Sequence, residues 1–379
     1  MLDPKCIYQA VRSLGVEFFT GVPDSLLKEF CACVTDLSSA ENHVIAANEG
    51  GSVAMATGHY LASGKCAFVY MQNSGLGNAV NPLLSLADPA VYAIPMLLMI
   101  GWRGEPGVDD EPQHRKQGEV TLPMLKAMGI PVVVLRDDDE KAVEDLALAH
   151  AMAMERSCPV AVLVQKGLFK KYDLTKKEGE GLKGMTRERA LSMILDSLSD
   201  DCVVVSTTGK TSREVFELRD MSAPEKHRQD FLTVGSMGHC SQIALGVFLA
   251  QPEREVVCLD GDGAMLMQMG GLAIIGQSQA KNLLHIILNN GAHDSVGGQP
   301  TVALKLDIPS LGKSLGYSQA LTCDDEASLR HALIKIQESS EIKGARMLEV
   351  KVAMGSRSDL SRPTLSPIEN KQALMAFLE

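Results

Sequence analysis

Short apolar runs alternate with longer stretches of helical periodicity along the whole chain. Continuous apolar runs between helical segments are typical of parallel strands that are covered on both faces. We therefore predict an α/β protein. The predicted strands are Glu17–Thr20, Val44–Ala47, Ala67–Met71, Ala93–Ile100, Val132–Leu135 and Val160–Val164 in the first half, and Cys202–Ser206, Phe231–Val234, Val256–Leu259, Leu284–Leu288 and Met347–Val352 in the second.

A polar stretch separates the two halves. The sequence LFKKYDLTKKEGEGLKGMTRERA is rich in Lys, Glu and Gly, which indicates a solvated linker with a boundary near Lys170–Lys183. A chain of 379 residues has room for two α/β domains of similar size. We place them at residues 1–170 and 185–379, with a linker at 171–184, and expect each to be a parallel sheet with helices on both faces.

Composition narrows the classes of protein that remain. A formal charge of −11 argues against non-specific nucleic-acid binding, which needs a basic surface. No stretch reaches the ~20 uncharged apolar residues of a membrane span, and the first residues lack the apolar core of a secretory signal. The nine cysteines form no CxxC pair and lie mostly in apolar stretches, as in a reducing compartment. We expect a cytoplasmic protein.

Two polar residues follow predicted strands of the second half. Asp262 lies in Gly261-Asp262-Gly263, and Asn290 ends the Asn289-Asn290 pair that follows 25 residues later. Mg²⁺ prefers hard oxygen ligands and usually shares them with substrate phosphates. Asp-Gly and Asn-Gly are also common turn formers, so either dipeptide alone favours an ordinary turn. Together, each directly after a strand, they predict a magnesium site that holds a diphosphate.

This spacing resembles the diphosphate-binding signature of thiamine diphosphate (ThDP) enzymes. The segment AANEGGSVAMATGHYLASGK resembles the glutamate helix of the same family. The resemblance implies two ThDP-binding-fold domains, a pyrimidine-binding domain followed by a diphosphate-binding domain. It also implies that Glu49 activates the aminopyrimidine ring of the cofactor by exchanging a proton with it. Alone, Glu49 would be interpreted as a helix-start glutamate.

The resemblance extends to other cofactor positions. It implies Mg²⁺ ligation by Asp262, Asn290 and the carbonyl of Ala292. GSMGHCSQIALG resembles the segment under the thiazolium ring, where Met237 would hold the cofactor bent, although a plain core methionine is the alternative. The remaining implied cofactor contacts are Thr208, Gly209, Gly235, Ser236, Gly261, Gly263 and Ala264.

Four further stretches resemble one branch of the family, which decarboxylates 3-phosphonopyruvate or its sulfonate analogue sulfopyruvate. They are GVPDSLLKEF, GWRGEPGVDDEPQHRKQG, NNGAHDSVGGQPT and SRPTLSPIENK. The resemblance implies conversion of 3-phosphonopyruvate to phosphonoacetaldehyde and CO₂ in phosphonate biosynthesis. Sulfopyruvate decarboxylation, a broader 2-oxo acid decarboxylase, a carboligase and a non-catalytic scaffold remain as alternatives.

Candidate substrate residues lie in these stretches, in a nearby loop (Arg357) and directly after a predicted strand (Gln72, Asn73 and Ser74). A substrate with a carboxylate and a phosphonate needs cations and N–H donors. His114 and His293 are candidate proton donors or orienters of the substrate, since an ordinary imidazole titrates near neutral pH. Each of the other side chains has a solvated loop residue as its alternative: Asp24, Gln72, Asn73, Ser74, Arg103, Arg357 and Arg362.

The family resemblance also implies a homo-oligomer, a dimer or larger. In the family, the pyrimidine-binding domain of one subunit faces the diphosphate-binding domain of another. Glu49 and Asp262 of one chain would then serve different active sites at subunit interfaces. The only other partner we expect is a small 2-oxo acid.

Overall fold

The computed structural model describes residues 1–175, 184–338 and 343–379. Two compact units make up the chain: Met1–Glu178 with Ser295–Pro300, and Gly179–Asp294 with Thr301–Glu379. Residues 176–183 of the predicted linker lie outside the described residues. Each unit contains one six-stranded sheet in which every pairing is parallel, so the predicted α/β fold with two parallel sheets is confirmed.

The sheet of the first unit has the strand order β2-β1-β3-β4-β6-β5. Its strands are β1 (Phe19–Gly21), β2 (His43–Ile45), β3 (Ala67–Gln72), β4 (Met96–Gly101), β5 (Val132–Val134) and β6 (Pro159–Val164). Its helices are α1 (Pro4–Ser13), α2 (Lys28–Leu37), α3 (Glu49–Ser63), α4 (Leu76–Pro82), α5 (Pro112–Ala127) and α6 (Asp139–Arg156).

The sheet of the second unit has the order β11-β12-β10-β9-β7-β8. Its strands are β7 (Val203–Ser206), β8 (Asp230–Leu232), β9 (Val256–Gly261), β10 (Leu283–Asn289), β11 (Gln319–Cys323) and β12 (Arg346–Lys351). Its helices are α7 (Arg187–Ser197), α8 (Lys210–Ser222), α9 (Cys240–Ala250), α10 (Asp262–Met267), α11 (Gly270–Gln277), α12 (Ile308–Leu315), α13 (Glu326–Glu338) and α14 (Pro367–Leu378).

Helices cover both faces of each sheet. Phe68 and Tyr70 of β3 belong to one apolar cluster, whereas Val69 and Met71 belong to another. Successive side chains of a strand point to opposite faces, so two clusters sharing one strand mean two buried faces. This double burial explains why the central strands are continuous apolar runs in the sequence.

Among the strands of residues 1–175, 184–338 and 343–379, β11 is the one that the apolar pattern did not predict. It lies at the sheet edge and is only partly buried, with buried Ala320 and Cys323 on either side of half-buried Leu321 and exposed Thr322. An edge strand needs fewer apolar residues than a central one. The polar residues therefore hid it from a search for continuous apolar runs.

Helix α14 closes the other edge of this sheet. The Asn370 Nδ2 donates to the carbonyl of Asp230 at 2.8 Å, and the backbone N–H of Leu232 donates to Asn370 Oδ1 at 3.0 Å. The buried Asn370 amide thus takes the place of a neighbouring strand beside β8. Among the described residues, no helix is both long enough and apolar enough to cross a membrane.

A buried ion pair fastens α8 to β8. The Arg219 Nε donates to Asp230 Oδ2 at 3.0 Å and its Nη2 donates to Oδ1 at 3.1 Å, with Asp230 fully buried. Burial raises the pKa of Asp230 to about 6, although Arg219 opposes this shift. The carboxylate therefore depends on the guanidinium for its charge.

We predict that Arg219→Met destabilises the protein by about 3–5 kcal/mol, because it leaves a buried charge without its partner. Because the folded-state pKa of Asp230 lies above its unfolded value, the folded protein bears the cost of the buried charge mainly above about pH 6. The loss of stability in Arg219→Met should therefore be larger above that pH than below it. Denaturant unfolding on either side of that pH measures the effect. The double variant Arg219→Met/Asp230→Asn should recover most of the loss; an equal loss in both variants would contradict the explanation.

Candidate active site

In the first unit, the candidate residues gather at the carboxyl edge of the sheet. Asp24 follows β1, Glu49 follows β2 and Arg103 follows β4. Gln72 is the last residue of β3, and Asn73 and Ser74 come directly after it. These four strands are neighbours and run parallel, so the segments that leave them meet at one edge. Hydrogen bonds join the segments that leave β1, β3 and β4, and the segment after β3 also reaches Glu49.

Glu49 is a buried carboxylate at the start of α3, with 5% of its surface exposed. The helix begins there because Asn48 caps it, accepting from the N–H of Gly50 at 2.8 Å. The Asn78 Nδ2 donates to Glu49 Oε2 at 2.7 Å. Gly75 packs against the other side of the carboxyl, where an added Cβ would lie 2.6 Å from Glu49 Cδ.

Asp24 is completely buried beside the end of β3. Gln72 Nε2 donates to its Oδ1 at 2.6 Å, and the N–H of Leu26 donates to Oδ2 at 3.1 Å. Burial raises the pKa of Asp24 despite these hydrogen bonds. Ser74 donates to Gln72 Oε1 at 2.7 Å, so three of the predicted substrate residues form one network.

Arg103 and His114 both contact the carboxylate of Asp110, which was not among the candidate residues predicted from the sequence. Arg103 Nε donates to Asp110 Oδ2 at 2.7 Å, and His114 Nδ1 lies 3.0 Å from Asp110 Oδ1. The spacing of Asp110 and His114, four residues apart at the start of a helical stretch, was the signal available in the sequence. Asn73 fixes Arg103 from the other side, donating to its carbonyl at 2.7 Å and accepting its N–H at 3.2 Å.

In the second unit, Asp262 and Asn290 follow adjacent strands. Gly261 at the end of β9 pairs with Leu288 of β10, so the next residues of both strands leave the same edge. Asp262 is 3% exposed and Asn290 is 5% exposed. Burial raises the pKa of Asp262 to about 6, and the hydroxyl of Thr301, another residue that sequence reasoning missed, donates to its Oδ2.

Asp262 suits a divalent cation because its charge is otherwise uncompensated. Within residues 1–175, 184–338 and 343–379, no basic side chain forms an ion pair with it. A buried carboxylate of this kind, beside a buried carboxamide, offers the hard oxygen ligands that Mg²⁺ takes. The donor set therefore fits the predicted metal and its diphosphate.

The turn after Asn290 is fixed by short hydrogen bonds. Asn290 Oδ1 accepts from the N–H of Ala292 at 3.0 Å, and the carbonyl of Ala292 accepts from the N–H of Asp294 at 2.9 Å. Asp294 is anchored in turn by Arg187 at 3.2 Å and Lys210 at 3.5 Å. The candidate metal ligands thus lie on a turn that the rest of the unit holds in place.

Met237 and His293 lie on either side of Gly263. A Cβ at position 263 would lie 3.0 Å from the His293 ring, which would have to shift by a few tenths of an ångström, and 3.5 Å from Met237 Cε, an ordinary contact. Ser236 takes a left-handed φ of 53°, which turns Met237 toward α10. Burial lowers the pKa of His293 to about 4, which keeps its ring neutral near pH 7.

The remaining cofactor candidates border the same edge. Thr208 and Gly209 follow β7, whose Ser206 pairs with Leu259 of β9. Gly209 has a φ of 97° directly before α8, a conformation that favours glycine. Gly238 approaches the start of α10, where an added Cβ would lie 3.1 Å from the carbonyl of Ala264. The segments carrying Gly235, Ser236 and Ala264 are therefore in contact.

Arg357 is engaged elsewhere. It donates to Glu188 at 2.9 Å and to Glu217, and it lies 3.1 Å from Asp359, with 37% of its side chain exposed. Arg362 is exposed in the segment between β12 and α14.

A second polar cluster is formed by Cys258 and Asp260 of β9 with Cys240 and His285. Asp260 Oδ1 accepts from the N–H of Gly261 at 2.8 Å, and its Oδ2 lies 3.1 Å from His285 Nε2. The thiol of Cys258 contacts that of Cys240 at 3.7 Å. All of these side chains are buried, and their hydrogen bonds fix β9, the strand that directly precedes Asp262.

Comparison with known proteins identifies two family models in the chain. The N-terminal TPP binding domain of thiamine pyrophosphate enzymes matches residues 5–128, and the C-terminal TPP binding domain matches residues 207–350. Glu49 and Asn78 lie in the first match, and Asp262 and Asn290 in the second.

Curated relatives match over the full length. A phosphonopyruvate decarboxylase of Streptomyces viridochromogenes is 34% identical over 393 residues, covering 100% of this chain and 95% of that protein. One of Streptomyces hygroscopicus is 34% identical, covering 100% and 94%. A sulfopyruvate decarboxylase of Methanosarcina acetivorans is 24% identical, covering 89% and 88%.

We predict that Gly75→Ala weakens binding of thiamine diphosphate by about 10-fold or more, because the new methyl group displaces the Glu49 carboxyl and costs a charged hydrogen bond. Titration calorimetry measures the affinity. Gly77→Ala is the matched control, since a Cβ there meets nothing within 4 Å. Equal affinities of the two variants would contradict the assigned position of Glu49.

Proposed function

The chain belongs to the thiamine pyrophosphate enzymes and is a decarboxylase, and from that premise we propose that its substrate is 3-phosphonopyruvate. The products are phosphonoacetaldehyde and CO₂, and the reaction serves phosphonate biosynthesis. The observation that carries this proposal is the full-length similarity to two phosphonopyruvate decarboxylases. The Arg103 guanidinium alone would suit any anionic 2-oxo acid.

We propose that the activity depends on Mg²⁺ bound by the second unit. Asp262, the Asn290 side-chain oxygen and the Ala292 carbonyl are proposed as the metal ligands from the protein. The Ala292 carbonyl also accepts from the N–H of Asp294, which sets its direction. ThDP, when bound, supplies the electron sink for the loss of CO₂ from a 2-oxo acid.

Glu49 is proposed to hold the proton that activates the cofactor. Asn78 occupies its Oε2, which leaves Oε1 to share a proton with the aminopyrimidine ring. Because the carboxyl is buried, water competes little for that proton. Gly75 keeps the approach to this carboxyl free of a side chain.

The phosphonate end of the substrate is proposed to bind the guanidinium of Arg103. Arg103 is held by Asp110 and Asn73 at the same sheet edge as Glu49. His114 is proposed as the proton donor to the product. Since His293 is kept neutral near pH 7 by burial, its proposed role is to orient the substrate.

Sulfopyruvate is the second candidate substrate, because a sulfopyruvate decarboxylase is similar over most of the chain. Its sulfonate carries one charge less than a fully ionised phosphonate. The lower identity of that relative, 24% against 34%, places sulfopyruvate second.

The substrate proposal is tested by incubating the protein with 3-phosphonopyruvate, with and without ThDP and Mg²⁺, and following phosphorus by NMR. We expect phosphonoacetaldehyde only when both are present, in amounts equal to the CO₂ released. Sulfopyruvate and pyruvate are assayed in parallel. Equal rates on pyruvate would reject the phosphonate assignment, and an aldehyde yield below the CO₂ yield would indicate a carboligase.

We further propose a cytoplasmic homo-oligomer in which Glu49 and Asp262 of one chain serve different active sites. Glu49→Gln and Asp262→Ala should each abolish activity. Mixing the two variants under conditions that exchange subunits should restore activity, because some sites then receive both intact residues. Mixing each variant with itself is the control. No recovery, with exchange shown by native mass spectrometry, would mean that both residues serve one site of one chain.

A further inference from the structure

Asp110 is saturated with hydrogen bonds from the loop and helix that follow β4. Besides the two Arg103 nitrogens and His114 Nδ1, it accepts from the N–H of Gly104 at 2.8 Å and the N–H of Glu111 at 2.8 Å. Its side chain is only 6% exposed. Burial works against its ionisation, yet the hydrogen bonds from Arg103 and His114 hold the pKa of Asp110 well below its usual range.

An ionised Asp110 determines which nitrogen of His114 carries the proton. A carboxylate only accepts, so the Nδ1 at 3.0 Å must donate. In the neutral ring the Nε2 is then the free nitrogen, and in the protonated ring the Nε2 carries the proton that can be released. Asp110 thus occupies the Nδ1 of the imidazole and leaves the Nε2 for a ligand.

The same carboxylate orients the guanidinium of Arg103. Nε and Nη2 donate to Asp110, and Nη1 donates to Ser25 Oγ at 2.6 Å. Three of the five N–H groups are therefore used, and the plane of the fork is fixed. The two remaining N–H groups can donate only in directions that this plane allows.

These two side chains are also fixed relative to Glu49. Asn73 holds the backbone of Arg103 through both its amide atoms. Asn73 begins the turn that contains Gly75, which packs against the Glu49 carboxyl. One short segment after β3 therefore connects Arg103, which Asp110 orients, with the Glu49 carboxyl.

We propose that Asp110 is a positioning residue of the decarboxylation. It orients the guanidinium of Arg103 so that its free N–H groups donate to the phosphonate, and it holds His114 with its Nε2 toward the substrate. This inference rests on the proposed function. Asp110 itself touches no substrate, because both its oxygens are occupied by the protein. It acts through the orientation of Arg103 and through the tautomer and acidity of His114.

The charged groups around His114 determine the direction of the expected pH effect. Burial lowers the His114 pKa, Asp110 raises it, Arg103 lowers it and Asp24 raises it. Removing the charge of Asp110 leaves burial and Arg103 less opposed, so the His114 pKa falls. A proton donor with a lower pKa loses its proton at lower pH, which moves the alkaline limb of the rate profile toward acid.

The test compares Asp110→Asn with Asp109→Asn in the full-length enzyme. Asp109 is the exposed neighbour, so its variant makes the same chemical change outside the cluster. We expect Asp110→Asn to lower kcat on 3-phosphonopyruvate by about 100-fold, the lower end of general acid catalysis, and to lower the His114 pKa measured by NMR. Asp109→Asn should leave both unchanged. Asp110→Glu, which restores the charge, should recover most of the His114 pKa.

The outcomes separate this inference from the proposed function. No turnover of 3-phosphonopyruvate by the wild-type enzyme would reject the substrate, whatever the variants do. An active wild type with the same pH profile and His114 pKa in both Asn variants would overturn the role of Asp110. Should Asp110→Asn fail to fold, nitrogen-15 shifts of the wild-type His114 still decide: a neutral ring protonated at Nε2 contradicts the proposal, and one protonated at Nδ1 supports it.

Discussion

The cost of burying a carboxylate is the constraint that the candidate residues of both units share. Asp230 and Glu214 are buried too, but each accepts two hydrogen bonds from a buried arginine. Glu49 and Asp262 form no ion pair with any basic side chain in the described parts of the chain. A buried charge without a partner destabilises a fold unless a ligand or a proton offsets it. The bound cofactor and metal would offset this cost and stabilise the folded protein in proportion to their affinity.

Glycines make this arrangement sterically feasible. Gly75 lies against Glu49, Gly101 lies against Asp24, and Gly263 lies between Met237 and His293. In each case an added Cβ would meet a side chain that the candidate site uses. The close approach explains why these residues, which have no chemistry of their own, belong to the working parts of the protein.

Much of the fold was predictable because double burial leaves a strong trace in the sequence. The central strands of both sheets are continuous apolar runs, and the two diphosphate-side residues follow such runs directly. The sequence did not reveal β11, since a partly exposed edge strand carries polar residues. The position of Asp262 beside Asn290 followed from parallel pairing alone.

The substrate end was less predictable, because hydrogen bonds between loops have no periodic pattern. Arg103 was selected for its charge, while Asp110, which orients it, was passed over as one acid in an acidic loop. Arg357 had the same charge and the same kind of loop, yet three carboxylates surround it. Composition identifies candidates of this kind, and only tertiary contacts separate them.

The Asn370 amide beside β8 bears on how the protein avoids self-association. An edge strand with open backbone N–H and C=O groups is a template on which another polypeptide can add a strand. Asn370 of α14 occupies one donor and one acceptor of that template. Until α14 has docked, β8 stays available to other unfinished chains. Docking of α14 therefore protects the open backbone of β8 from pairing with another polypeptide.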